Sequence, residues 1–374
     1  LRLLRALLPV LVVFLVAGCG AGSASSGEGT TGAEGTQSRT VDGLQVETVA
    51  KNLDTPWEVA FAPDGRIFVT ERPGVVRVIE SGELREEPYA EFGAEEMGEG
   101  GQLGLALDPD FEQNDTLYAY YSTETDDGPE NRIARLLEEN GRATEQETLL
   151  SMPAASIHNG GRLAFGPDGK LYATIGDVSE ASLAQDRDAL AGKILRINPD
   201  GTVPDDNPFD GSPVYSYGHR NPQGLAWDDE GSLYAPEHGQ SAHDELNLIE
   251  AGKNYGWPEI QGDENASGLT PPILHSGQQT WAPSGAEYVE DGAWADSLMF
   301  TGLAGESLHR VEFAPGKPVE VARHREYLGG EYGRLRTVEQ GPGGALYVLT
   351  SNRDGRGNPA PEDDRLLKVT PAGG

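Results

Sequence analysis

The 374-residue chain carries 28 Lys and Arg against 61 Asp and Glu, a formal net charge of −33 at pH 7. Affinity for nucleic acid depends on cationic groups that displace counterions from phosphates, so this charge excludes a phosphate backbone as partner. Fifty Gly and 25 Pro with 37% hydrophobic residues call for many tight turns, and no long stretch shows helical periodicity, so the expected fold is all-β. The acidity reads as a solvated surface, with calcium binding by a few local carboxylates as the sharper alternative.

The chain begins with Arg2 and Arg5, an apolar run from Leu7 to Ala17, and small residues before Cys19, its single cysteine. The run is too short to span a bilayer comfortably and reads as a signal peptide. Leu15-Val-Ala-Gly-Cys19 resembles the bacterial lipobox, which implies export and lipid anchoring at Cys19, at the outer face of the cell membrane or in the periplasm. The alternative is an ordinary signal peptide with an incidental Cys. Residues 20–40, made of Gly, Ser, Thr and Ala with few charges, read as a flexible tether, and residues 41–374 as the folded domain.

Within that domain one phrase recurs every ~45 to 65 residues. It appears as Phe61-Ala-Pro-Asp-Gly-Arg-Ile-Phe-Val69, Leu107-Asp-Pro-Asp-Phe111 with Leu117-Tyr118, and Phe165-Gly-Pro-Asp-Gly-Lys-Leu-Tyr-Ala173. It returns as Trp227-Asp-Asp-Glu-Gly-Ser-Leu-Tyr-Ala235 and Gln340-Gly-Pro-Gly-Gly-Ala-Leu-Tyr-Val348, with a worn copy at Ala286–Val289 and Ser297–Phe300. Each is a strand end, a Pro/Asp/Gly turn and a second apolar strand, a hairpin written in sequence. Six such units predict a six-bladed β-propeller of four-stranded antiparallel blades, whose loops gather around one axial mouth.

Polar clusters flank these hairpins. His158-Asn-Gly-Gly-Arg162 enters the third phrase, and Ile175-Gly-Asp177 leaves it. A neutral imidazole there suits removal of a proton from an alcohol, although a His that merely bonds a turn is the competing account. Gly218-His-Arg-Asn-Pro222 sets Arg220 and Asn221 beside a rigid turn, as donors to a carboxylate or a developing alkoxide, or as one side of a salt bridge between blades. Arg334 and Arg336, two apart on an extended segment, share a face and invite an anion, with Glu331 and Glu339 as alternative partners. Glu237-His-Gly-Gln240 and Asp244-Glu245 are candidate calcium loops. HExxH, CxxC, a phosphate loop and a strand-coupled GxGxxG are lacking, so a nucleotide cofactor is unsupported.

From about Val46 to Val369 the chain resembles the soluble pyrroloquinoline quinone (PQQ) dependent aldose sugar dehydrogenases and glucose dehydrogenases. The resemblance rests on Leu53-Asp-Thr-Pro-Trp57, Gly98-Glu-Gly-Gly-Gln-Leu-Gly104, His158–Leu163, Ala191-Gly-Lys-Ile-Leu-Arg-Ile197, Gly218–Leu225, Asp244–Ile249 with Asn254-Tyr-Gly-Trp-Pro258, and Trp281-Ala-Pro-Ser284. It implies oxidation of an aldose at C1 to a lactone, with PQQ and Ca2+ as cofactors and a separate electron acceptor. By the same resemblance His158 is the general base and Arg220 stabilises charge on the quinone. Glu99, Asp177, Asn221, His238, Thr280, Arg334 and Arg336 contact cofactor or sugar. The carbonyls of Gly239 and Gln240 hold the catalytic Ca2+, and Glu245 with the carbonyl of Tyr255 holds a second, structural one.

Three departures stand out. Ile157 precedes the base where glucose dehydrogenases carry Asp, Ala304 stands where they carry a cofactor-holding Lys, and His238 where they carry Gln. Two other classes of function fit a six-bladed propeller: a non-catalytic ligand-binding module, and a calcium-dependent lactonase with side-chain oxygens converging on the metal.

Overall fold

A computed structural model of the chain describes residues 38–372; Cys19 and the signal-peptide stretch lie outside them. The described residues form six antiparallel sheets, the blades of a propeller. Blade 1 comprises Pro56–Phe61, Ile67–Glu71, Val75–Glu80 and Glu83–Leu84; blade 2, Gln102–Leu107, Thr116–Thr125, Gly128–Glu139 and Arg142–Pro153. Blade 3 comprises Leu163–Phe165, Leu171–Ile175, Lys193–Ile197 and Val214–Tyr217; blade 4, Ala226–Trp227, Leu233–Glu237, Glu245–Ile249 and Leu274–His275. Blade 5 comprises Pro283–Val289, Ser297–Gly302, Leu308–Ala314 and Lys317–Tyr327. Blade 6 takes Leu335–Gln340, Leu346–Thr350 and Leu366–Pro371 from the end of the chain and its fourth strand, Leu44–Ala50, from the beginning. Among the described residues helix is confined to one turn, Phe111–Asn114, and three short 3-10 segments.

Each recurrent phrase is the hairpin of a blade's two innermost strands. The Asp and Tyr of the phrase have a common task. The Tyr118, Tyr172 and Tyr234 hydroxyls each donate to a turn carboxylate (Asp108, Asp168 and Asp228) at 3.0 Å. The same carboxylates cap turn N–H groups, as Asp168 Oδ1 does for Lys170, so one Asp closes the turn and anchors the next strand.

The apolar core divides into six clusters, one at each blade interface. One of them spans blades 6 and 1 through Leu53, Val59, Val69, Leu349 and Leu366, so the ring is closed. Closure is made by the pairing of Leu44–Ala50 with Leu366–Pro371. A preceding strand, Ser38–Val41, pairs outside it. Near the axis the inner strands crowd: a Cβ on Gly104 would lie 2.4 Å from the Gly161 carbonyl oxygen, which only glycine allows.

Arg162 lies across this axis, 3% exposed. Its guanidinium pairs with Glu58 of blade 1, donates to Thr337 Oγ1 of blade 6 at 3.2 Å and to the Gln223 carbonyl ahead of blade 4 at 2.9 Å, and stacks 4.3 Å from the Trp57 ring. The Glu58 amide donates to Thr70 Oγ1, whose hydroxyl donates to the Leu103 carbonyl of blade 2 at 2.7 Å.

The closing strand makes a direct prediction. Leu44 is 3% exposed within the blade 5–6 cluster, so Leu44→Ala is expected to lower unfolding stability by about 2–4 kcal/mol, read as a shifted urea midpoint.

Candidate active site

The hairpin turns all lie at one end of the axis, so the segments that enter the first strand and leave the second of each blade share the other end. Those segments are Gly98–Gly101, His158–Arg162, Asp177, Arg220–Gln223, Glu237–Gln240, Trp281–Ala282, Arg334 and Asn352–Asp354. The mouth therefore collects nearly every polar cluster that the sequence singles out.

His158 is its centre. Its backbone lies in the left-handed region at φ 62°, rare for a residue with a side chain and a mark of a constrained position. Its amide donates to Glu99 Oε2 at 2.9 Å, and its carbonyl leaves no room for a Cβ on Gly176, which would lie 2.2 Å away. Nδ1 meets Asp177 Oδ1 at 2.6 Å. The carboxylate that Ile157 cannot supply thus comes from the loop after the second strand of blade 3. Asp177 is itself fixed by the Trp257 indole N–H at 2.8 Å and the Ser179 amide at 3.0 Å. Burial pushes its pKa up, but the hydrogen bonds from His158 and Trp257 win and hold it below the usual carboxylate range. With Nδ1–H given to Asp177, Nε2 keeps its lone pair.

Arg220 stands beside this pair. Its amide donates to Glu237 Oε2 at 2.9 Å, and its guanidinium lies 5.4 Å from the Trp257 ring and 3.4 Å from the His238 carbonyl. It makes no ion pair among the described residues, which removes the inter-blade salt bridge as its explanation. Asn221 Oδ1 accepts from the Gly160 amide at 3.1 Å. Burial, assisted by Arg220 and Arg336, lowers the His238 pKa to about 4 despite Asp244 and Glu99, so His238 is neutral near pH 7.

Arg334 and Arg336 do meet an anion, but neither Glu331 nor Glu339 is the partner. Both turn to Asp354: Arg334 pairs with it at 2.8 Å, and Arg336 lies 4.0 Å away. Glu331 pairs with Arg39 instead, and Glu339 lies inside the axis near Glu287 and Glu58. Arg336 also donates to Gln223 Oε1 at 3.0 Å.

Three buried donors of this mouth, Arg220 Nε, Asn221 Nδ2 and Arg336 Nε, have no partner among the described residues, and neither does the buried ring nitrogen Nε2 of His238. Unpaired buried polar groups are costly, and three such donors near the His158 imidazole describe a site shaped for an anionic ligand with several acceptors.

The loop after blade 4's second strand is held by Asp244, whose carboxylate accepts from the Gly239 amide at 2.9 Å, Trp281 at 2.6 Å and Ala282 at 3.0 Å. Thr280 donates to the Ser241 carbonyl at 2.9 Å on the exposed rim. No described donor reaches the carbonyls of Gly239, Gln240 or Tyr255. Glu245 is pushed up to about 8 by burial and by Glu237, accepts from the Gly262 amide at 2.7 Å, and lies beside Asn247, whose buried Oδ1 lacks a partner. The Tyr255 ring stacks 4.8 Å from His219, which bonds Glu237. Glu245 and Tyr255 thus belong to one buried acidic pocket behind the mouth, linked through Glu237. The other end of the axis opens into a hollow of about 600 Å³ lined by Arg162, Glu287 and Glu339. Its described lining includes no histidine.

Sequence reasoning gave no role to Asp354, Arg356 or Trp257, although Trp257 stands within the Asn254–Pro258 stretch. Each meets its partner from another segment of the chain, which no local pattern marks. Arg356 pairs with Glu99 Oε1 at 2.6 Å across the rim. Burial pushes Glu99 up, but the His158 amide and Arg356 outweigh it and hold the carboxyl at about 2. A depressed carboxyl pKa stabilises the fold above the unfolded value and loses that stability as pH falls through the folded one. Thermal stability is therefore expected to drop between pH ~4.5 and 2, by on the order of 3 kcal/mol from this group, with a shallower slope in Glu99→Gln.

The sequence profile of the Glucose / Sorbosone dehydrogenase family matches residues 53–366. The PQQ-bound aldose sugar dehydrogenase structure from Streptomyces coelicolor superposes with a TM-score of 0.80 at 42% identity, covering 87% of this chain and 98% of that one. A putative oxidoreductase (glucose dehydrogenase) from Thermus thermophilus gives a TM-score of 0.82 at 43% identity, over 87% of this chain and all of its own. The aldose sugar dehydrogenase YliI of Escherichia coli is 33% identical over 359 residues, 88% of this chain and 93% of its length. With a profile match across all six blades and these relatives, the chain belongs to the glucose/sorbosone dehydrogenase family of oxidoreductases.

Proposed function

We propose that this protein oxidises aldose sugars at C1 to lactones with PQQ and calcium, His158 acting as general base. The observation that carries this reading is the set of unpartnered buried donors on Arg220, Asn221 and Arg336 around the His158–Asp177 pair. A planar quinone with three carboxylates offers acceptors to match those donors, and PQQ is bound by the Streptomyces coelicolor relative. When bound, PQQ supplies the two-electron acceptor for the C1 hydride.

The remaining work falls to the chain's own residues. His158 Nε2 takes the proton from the anomeric hydroxyl, while Asp177 fixes the tautomer and stabilises the imidazolium that forms. Arg220, desolvated against Trp257, and neutral His238 present donors where negative charge develops. Asn221, Arg334 and Arg336 would hold the cofactor, with Asp354 fixing the direction of both arginines. Glu99 and Thr280 line the rim toward the sugar. The unengaged carbonyls of Gly239 and Gln240 suit calcium, an oxygen-seeking ion, and Glu245 with the Tyr255 carbonyl suits a second ion that would relieve the crowding of Glu245 and Glu237. Asp244 is consumed by three backbone amides, which counts against a lactonase site built on side-chain oxygens. The reading extends to an exported, lipid-anchored protein tethered through Cys19 that hands its electrons to a separate acceptor.

Titration of the purified chain with PQQ in the presence of Ca2+, followed by aldose addition, tests this directly. The quinone absorbance should saturate at one equivalent and bleach with sugar; absence of saturable binding would sink the proposal. His158→Gln should bind PQQ normally yet fail to bleach it. Asp177→Asn should lower kcat by about a hundredfold to ten-thousandfold with little change in PQQ affinity. Arg336→Met should weaken PQQ binding by about ten- to a hundredfold, read in the same titration.

A further inference from the structure

We propose that the outer strands of blade 5 form a binding site for a divalent late-transition-metal ion, with His309, His324 and Glu326 as ligands. The site is separate from the calcium loops and does not depend on the dehydrogenase reading. In the antiparallel register Glu326 lies opposite His309, and His324 is two residues back along the same strand, so all three side chains share one face of the blade. One ligand atom from each lies within 4.8 Å of the other two. His309 Nδ1 is 2.9 Å from His324 Nε2 and 4.0 Å from Glu326 Oε1.

The three residues are graded in burial. His309 is fully buried and held flat against Phe300, with centroids 4.4 Å apart and planes 3° apart, while Trp281 packs 5.2 Å from its ring. Its Nε2 lies 3.0 Å from Ser307 Oγ. An Nε2–H donated to that hydroxyl fixes the tautomer that leaves a lone pair on Nδ1, the outer-shell bond that orients metal-ligating histidines. His324 is half-buried, and Glu326 is half exposed on the outermost strand. In the metal-free form two neutral imidazoles face each other nitrogen to nitrogen and share one proton. A modest swing of the His324 ring brings both lone pairs onto one ion, Glu326 closes from the solvent side, and water completes the coordination. Two imidazole nitrogens and one carboxylate select Zn2+, Co2+ or Ni2+ over the oxygen-seeking Ca2+ and Mg2+.

The probe is Co2+, added to the full chain after chelator treatment and saturation with Ca2+, with visible d–d absorption as the readout. A saturable band at one Co2+ per chain, displaced by Zn2+, is expected. It should vanish in His324→Ala and need roughly tenfold more metal in Glu326→Gln. Since His324 is half exposed, His324→Ala should melt like the unaltered protein without metal and lose the rise in Tm that Zn2+ gives. No saturable band, or a band and a Zn2+ effect unchanged in His324→Ala, overturns the proposal.

Discussion

A single guanidinium holds the axis of this ring. Arg162 enters from the edge of blade 3 and is paired, hydrogen-bonded or stacked against groups from blades 1, 4 and 6, and its partner Glu58 is linked through Thr70 to blade 2. A buried charge pair of this kind contributes little net stability compared with apolar filling, but removing one partner leaves the other stranded. Its value is geometric: planar donors in fixed directions set the angle at which neighbouring blades meet, where an apolar plug would allow them to slide. Burial raises the Glu58 pKa even against Arg162.

The mouth inherits that rigidity. His158 stands four residues ahead of Arg162, and the intervening Asn159-Gly-Gly leaves no side chain bulkier than an amide between the pin and the base. Asn159 Oδ1 accepts from the Ala155 amide and from Asn131, which fixes the loop from behind. Asp177 approaches from the loop after the second strand of the same blade, and Trp257 from the loop between the third and fourth strands of blade 4. The base is thus oriented by two loops and an axial pin. On the far side Asp244 uses a single carboxylate to fix both the Gly239 turn and the start of blade 5.

The hairpins were readable because everything that makes them is local: a turn Asp, a Gly and two apolar strands lie within nine residues of one another. The blade count and the gathering of His158, Asp177, Arg220, Asn221, Arg334 and Arg336 at one mouth follow from that repetition. What stayed hidden depends on contacts between distant segments. Leu44–Ala50 has the alternation of many edge strands, and nothing in it names Leu366–Pro371 as its partner. Glu331 and Glu339 flank Arg334 and Arg336 in sequence, yet the strand's direction sends both arginines to Asp354, in the loop after the next strand. His309 and His324 become neighbours only through the pairing of the outer strands of blade 5.

The closing strand bears on how the molecule is made. Val46 pairs with Val369, so the ring can be sealed only after nearly all of the chain is available. Until then blade 6 lacks a strand and blade 5 lacks one wall of its apolar interface. Contacts between such distant residues carry a large loop-closure cost and form late. A nascent chain therefore remains an open arc with an exposed edge, dependent on protection from strand-to-strand aggregation until Leu366–Pro371 arrives.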